Sequence, residues 1–488
     1  MAALSARSFM KLALLGVPFP QNEWGEYVGY QTDHDQTLRA TSAGPLTSKM
    51  MAECLMKSVK NRGARIVSGA NLIKIHAENG AAKGALFKMD GGCLAVSCGA
   101  IILATGGPAC VYGRRVYPKN QIGATGAALR AGARANNLCY WQYGLASTKV
   151  RWNVSGSYQQ AIPEYVDESG APIAPDMPGR LDRIFLKGYQ WPFDSARADA
   201  SAAVDRAVKA VSDAGGRVFM DFTRDPIAGN FDSLSSEARN YLKNCAALKN
   251  GAFERLQAIN PMAVEFYRSH GVDLKTEPLE IALCAQHSNG GILVDENWQT
   301  TVKNLYAVGE CSGVFGAYRP GGSALNETQV GSLRAAQHIA RIRAEARELA
   351  DGAFEDEIAW LSCGAADEKE MAYFQRRMDE CAGAVRSIAG MRALHAEVCA
   401  RLDTIKGDYA LRDVLWVQKY ALSAMLAQAE YSGSAGHMVT DARPTRGEAR
   451  EYAFITDENG THAEKVCEIP ESDQWFERVW KKFVEENR

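Results

Sequence analysis

The sequence has no C-x-x-C pair. Its twelve cysteines fall singly, at Cys54, Cys93, Cys98, Cys110, Cys139, Cys245, Cys284, Cys311, Cys363, Cys381, Cys399 and Cys467. That spacing argues against an iron-sulfur or zinc site within the chain and for a reduced, cytoplasmic setting. Charge of one sign is not in excess either: 55 Lys and Arg stand against 57 Asp and Glu, for a formal net charge of -2. No basic stripe stands out, which argues against nucleic acid as a partner. No apolar run reaches about 18 residues, so no membrane span is expected. Met1 to Gln21 carries Arg7 and Lys11 before a short apolar run, Leu12 to Val17, with no small-residue cleavage site after it. It reads as an ordinary segment rather than a signal peptide. What the chain does have is 488 residues that are 47% hydrophobic, enough for large cores and a length prior of about three domains.

Apolar spacing predicts a helix from Ser48 to Arg62, stopped by Gly63. Short alternating runs then read as strands: ARIVSG, ANLIKIHA, GALFKM and CLAVSC, with a fully apolar strand from Ala100 to Leu103. A helix is expected over Gly126 to Arg134. From about 150 to 280 the composition shifts to loops rich in aromatics and proline, followed by an amphipathic helix from Ala196 to Ala214. Strand-like Ile281–Leu283, Ile292–Val294 and Leu305–Val308 resume the earlier pattern, and a helix from about Ser323 to Leu349 closes it. Beyond Asp351, Phe374, Met378, Cys381, Val385 and Ile388 step by three and four, followed by Leu394, Val398 and Leu402. A second run carries Leu411, Leu415, Leu422 and Leu426. Two facing antiparallel helices are the simplest reading, with the apolar stripes as core.

The chemistry sits where strands end in glycine. Ile101 to Leu103 runs into Ala104-Thr105-Gly106-Gly107, where backbone can approach a dinucleotide without side-chain collision; a plain strand-to-helix turn is the alternative. Leu305 to Val308 leads into Gly309-Glu310, an acid suited to ribose or ribityl hydroxyls or, equally, a helix-start carboxylate. A third segment is Arg319-Pro320-Gly321-Gly322-Ser323-Ala324-Leu325.

Taken in order, IILATGG, HSNGGILVD (His287 to Asp295) and NLYAVGECSGVFGAYRPGGSAL (Asn304 to Leu325) resemble the FAD-dependent flavoprotein subunits of fumarate reductase and succinate dehydrogenase, with L-aspartate oxidase as a cousin. The resemblance covers most of residues 30 to 450. It implies an α/β fold: an FAD-binding Rossmann-like domain over 1–149 and 281–350, an inserted α+β capping domain over 150–280, and a helical domain over 351–488. It also implies FAD held by Ala104, Thr105, Gly106, Gly107, Glu310, Gly321, Gly322 and the amides of Ala324 and Leu325. That helix start contributes only about 0.3 to 1 kcal/mol toward an anion, so it positions more than it tunes.

By the same resemblance Arg319 and His287 face the substrate, Arg319 through a bidentate fork and His287 as a further donor. The family's proton donor, an arginine opening a helix in the inserted domain, corresponds to Arg197, although the neighbouring acid, Asp199, is displaced by one; a surface helix-start arginine is the other reading. The implied activity is hydride transfer between flavin and a C=C or CH-CH group beside a carboxylate or carbonyl, on a small unsaturated acid or enone-like substrate, with an electron-donor protein as a further partner.

Two departures stand out. The G-x-G-x-x-G turn that cradles the FAD pyrophosphate occurs nowhere in the chain, so residue 1 is expected to fall inside the FAD domain. A non-catalytic scaffold with weak FAD binding is the rival reading. Second, the family's Trp-Gln-Phe-His-Pro-Thr corresponds to Trp141-Gln142-Tyr143-Gly144-Leu145-Ala146, and an acidic and arginine-bearing stretch is replaced by WNVSGSYQQAIPEY. One carboxylate-binding end is gone. Trp152, Tyr158, Tyr189 and Trp191 then point to a larger or more apolar substrate, or else to packing within the inserted domain.

Overall fold

Residues 1–32, 35–118, 121–346, 348–443, 447–466 and 476–486 are described by a computed structural model of the chain. Cys467 lies outside the described residues.

Helices Ala2–Leu14 and Thr47–Asn61 open the chain. The three-stranded antiparallel sheet that follows (Asn71–Glu78, Ala81–Met89, Gly92–Ser97) is joined by tight turns. The first turn places Asn79 and Gly80 at φ 51° and 71°, the left-handed pair that a two-residue hairpin requires. The ARIVSG run is not a strand. Ile66 and Val67 are exposed and pair with no strand among the described residues; an apolar run becomes a strand only where neighbours pack on it.

Two sheets place the site. One is a parallel pair, Ile101–Leu103 beside Leu305–Ala307, in register Leu305 to Ile101 and Ala307 to Leu103. The other is a five-stranded antiparallel sheet in the order Glu164–Asp167, Val218–Asp221, Leu279–Ser288, Trp141–Ser147, Trp152–Asn153. In its central ladder Cys284 faces Gly144 and His287 faces Gln142, with an irregularity between Ala285 and His287 that leaves Gln286 as the extra residue. Such a bulge re-aims side chains. Because side chains alternate across a strand, Trp141, Tyr143 and Leu145 enter the main apolar core, while Gln142 and Gly144 share the opposite face with His287.

Four expected helices come out differently. Gly126–Arg134 is shortened to Thr125–Arg130, ending before Gly132 at φ 95°. The helix expected from Ala196 begins later. Asp194 accepts from the Ala196 amide at 3.0 Å and closes a separate 3-10 turn, Ser195–Arg197, and the α-helix runs from Ala202 to Asp213. The helix from Ser323 ends at Ile342, where Arg343 turns left-handed. The C-terminal stripes form three helices, Glu368–Cys381, Ile388–Leu402 and Tyr409–Ser432, rather than two. Val385–Arg386 leaves the first stripe to pair with Met438–Val439, and Ser387 caps the next helix by accepting from the Gly390 amide at 3.2 Å. The last helix reaches back into the front of the chain: Asp413 accepts from the Ala127 amide at 2.8 Å.

Candidate functional site

Parallel pairing puts both glycine-bearing strand ends at the same edge, the carboxyl side where open α/β sheets bind ligands. The Val308 amide extends the pairing by donating to the Leu103 carbonyl at 2.9 Å. Gly107 thereby meets Glu310 so closely that a Cβ on Gly107 would collide with Glu310 Oε1. The same oxygen accepts from the Tyr117 hydroxyl and, at 2.8 Å, from the Ser288 amide. Burial pushes the Glu310 carboxyl above the usual carboxylate range, and these hydrogen bonds and Arg319 hold it back. Thr105 Oγ1 is buried beside the Cys311 thiol, Gln121 donates to the Thr105 carbonyl at 3.3 Å and covers Gly106, and Ala104 is exposed.

The helix Ser323–Ile342 is docked on this edge, its Thr328 Cγ2 within 3.4 Å of where a Gly309 Cβ would lie. Gly322 takes the left-handed conformation, φ 77°, that opens the helix, and no side chain caps the start. Gly321, Gly322, Ala324 and Leu325 are all at least partly accessible there. Glu327, one turn on, accepts from Trp298 Nε1 at 2.7 Å and Ser312 Oγ at 3.1 Å, and burial pushes its carboxyl up to about 7.

Just before that helix start lies Arg319, buried at 6% exposure. Its Nε donates to Gln142 Oε1 at 2.8 Å, Gln142 Nε2 donates to the Arg319 carbonyl at 3.3 Å, and Arg319 Nη1 donates to the Pro320 carbonyl at 3.1 Å. Phe315 contacts both candidate substrate residues, 6.0 Å from the guanidinium carbon and 5.7 Å from the His287 ring. His287 is buried. Asn289 spends its amide nitrogen on the Gly316 carbonyl at 2.9 Å, so its oxygen faces His287 Nδ1 at 3.1 Å, and that network assigns the ring proton to Nδ1. Burial first and Arg319 second hold the imidazole well below its ordinary value. Its Nε2, which has no hydrogen-bond partner, is therefore an acceptor. The donor expected of His287 is corrected to an acceptor, because desolvation and an adjacent cation oppose the imidazolium.

Arg197 sits on the 3-10 turn, half-buried; burial and Asp194 push the Tyr318 hydroxyl up, and Arg450, 4.5 Å from the Tyr318 ring, and Arg197 hold it back. That places Arg197 within electrostatic reach of Tyr318, while the charge that acts on His287 is Arg319. Sequence reasoning missed Gln142, Asn289 and Tyr117 as site residues. Gln142 and Asn289 lie within motifs already singled out, whereas nothing local marks Tyr117.

The family described as an FAD binding domain matches residues 4–325. L-aspartate oxidase of Streptomyces coelicolor is 27% identical over 340 residues, 68% of this chain and 53% of that protein. The chain therefore spans about half the length of that relative. L-aspartate oxidase of Clostridium perfringens is 25% identical over 339 residues, 67% of each chain. In fold, E. coli quinol fumarate reductase is similar with a TM-score of 0.70 at 18% identity, covering 96% of this chain and 84% of that one. The residues at the two strand ends and the helix start fit FAD: a glycine at 107 lets backbone lie against Glu310 where a Cβ would press on that carboxylate, and the helix start behind Gly321 and Gly322 is uncapped and accessible. The chain belongs to the FAD binding domain family, and its cofactor is FAD.

Proposed function

We propose that this chain is an FAD-dependent oxidoreductase acting on a CH-CH or C=C group beside a carboxylate or carbonyl, with an electron-donor protein as redox partner. Bound FAD supplies the two-electron hydride chemistry, and Ala104 to Gly107, Glu310, Gly321, Gly322 and the helix start at Ala324 and Leu325 are the residues proposed to hold it. The observation that carries the reading is the Gln142-clamped Arg319 beside a neutral His287. A guanidinium held through Nε by Gln142 and through Nη1 by the Pro320 carbonyl has a fixed plane, and pairing of such a fork with one oxygen-bearing end of a substrate orients as well as binds. His287 Nε2, an acceptor, takes a hydrogen bond from the substrate. Arg197, close to Tyr318, is the group proposed to give the substrate its proton in the reducing direction and to take it back in the oxidising one. Phe315 and the surrounding core keep water from these groups, which strengthens their electrostatic hold.

Arg319→Lys tests this in protein supplied with FAD. Lysine offers a point charge where a fork is needed, so turnover is expected to fall by about ten- to a hundredfold, the loss of one charge-assisted hydrogen bond, with flavin content kept. Unchanged kinetics across a screen of unsaturated acids and enones remove Arg319 from the site.

A further inference from the structure

Gly144 has a neighbour that the strand pattern alone does not reveal. On the face of the ladder it shares with Gln142 and His287, a Cβ at Gly144 would lie 2.7 Å from Cε3 and 3.2 Å from Cζ3 of Trp191. The indole, with Gln286 Nε2 at 3.0 Å, which donates to the Leu145 carbonyl, therefore occupies the space that a side chain at 144 would fill. Gly144 is two residues along the strand from Gln142, the partner of Arg319, so about 7 Å separates the two positions. Both positions lie on one face of the strand, so Trp191 stands on the same face as the partner of Arg319.

Trp191 is held there from behind. Lys187 donates to the carbonyls of Gln190 and Trp191 at 2.8 and 2.9 Å and pairs with Asp205 at 2.7 Å, with both charged side chains almost wholly buried. Ser201 also donates to Gln190 Oε1 at 2.7 Å. A buried ion pair spent on two loop carbonyls fixes the segment that presents the indole, while Trp191 itself stays partly accessible.

We propose that Trp191 is a specificity-determining residue: it lines the end of the substrate site opposite Arg319 with an aromatic wall, so that the site takes planar mono-acids with an uncharged, aromatic or otherwise unsaturated far end. The proposal rests on the reading of Arg319 and His287 as the substrate's polar anchor. An indole face stacks on a flat apolar group and leaves a second carboxylate desolvated without a partner.

The test is isothermal titration calorimetry of the full chain, with FAD present, using cinnamate and fumarate as probes. Wild type is expected to bind cinnamate at least about tenfold more tightly than fumarate. Trp191→Leu, which keeps apolar bulk without a ring, is expected to weaken cinnamate by about tenfold and leave fumarate within threefold, and Trp191→Phe to keep the wild-type preference. Arg319→Lys is expected to weaken both acids. Equal binding of the two acids by wild type, no binding of either, or a Trp191→Leu variant with the wild-type ratio overturns the role of Trp191. If Arg319→Lys leaves cinnamate binding unchanged, it is the anchor reading that fails instead. Should Trp191→Leu not fold, as judged by circular dichroism, the wild-type ratio and Trp191→Phe still decide the matter.

Discussion

Gln142 holds Arg319 at two points, accepting from its Nε at 2.8 Å and donating to its backbone carbonyl at 3.3 Å. Both side chains are buried, at 5% and 6% exposure. The clamp fixes the plane of the guanidinium through its Nε.

Gln142→Leu keeps the volume but removes the acceptor and the donor. A buried charged donor left without its partner costs about 1 to 3 kcal/mol. Urea unfolding is expected to show that loss, together with weaker binding of acids that depend on Arg319. A variant with an unchanged urea midpoint would mean that Arg319 finds an equivalent acceptor elsewhere.

Gly107→Ala tests the contact between the two strand ends. Its Cβ collides with Glu310 Oε1, so either Glu310 or the strand end shifts, at about 1 to 3 kcal/mol. Flavin-fluorescence titration is expected to give an FAD Kd raised roughly ten- to a hundredfold. FAD affinity equal to wild type would place Gly107 away from the cofactor.

The pair of Lys187 and Asp205 is predicted to be fragile to single substitution. Burial lowers the Lys187 ammonium and pushes the Asp205 carboxyl up to about 6, each opposed by the other. Lys187→Met strands a buried carboxylate and frees two loop carbonyls, at about 3 to 5 kcal/mol. The double variant Lys187→Met with Asp205→Leu is expected to lose less. Denaturant midpoints of the three proteins check this, and a double variant as unstable as the single one contradicts it.

Asp379 gives a pH dependence with a definite sign. It accepts from the Arg114 amide at 3.0 Å, and burial pushes its carboxyl up to about 7, against the pull of that amide and of Arg114 and Arg115. The folded value lies above the unfolded one, 3.8, so between those pH values the folded state keeps a proton that the unfolded state releases. Stability from this group therefore falls as pH rises toward 7, by up to about 1.4 kcal/mol per pH unit, and changes no further above it. Asp379→Asn removes that slope. Urea unfolding from pH 4.5 to 7.5 is expected to show wild type losing ground to the variant as pH rises; parallel curves would contradict the assignment.

Local features of this chain were readable because they need no distant partner. Glycine after an apolar strand, at Gly106-Gly107 and Gly309, and an Arg-Pro-Gly-Gly segment opening a helix are dictated by backbone sterics over a few residues, and their order along the chain carried the family. Helix boundaries were less readable. Whether Ala196 to Ala214 forms one helix or a capped turn and a helix depends on Asp194 and Ser201 finding partners, and the ARIVSG run lacked only a neighbour to pair with.

The tertiary structure alone decided which groups meet and in what charge state. Gln142 and Arg319 stand 177 residues apart and come together because a bulged ladder turns one strand face toward the helix start. Gly144, which in sequence is only a missing histidine, becomes the seat of Trp191. His287 was singled out by its motif, but its change from donor to acceptor follows from burial, Arg319 and Asn289. Desolvation and through-space charge are properties of the packed chain, and no spacing of residues along it encodes them.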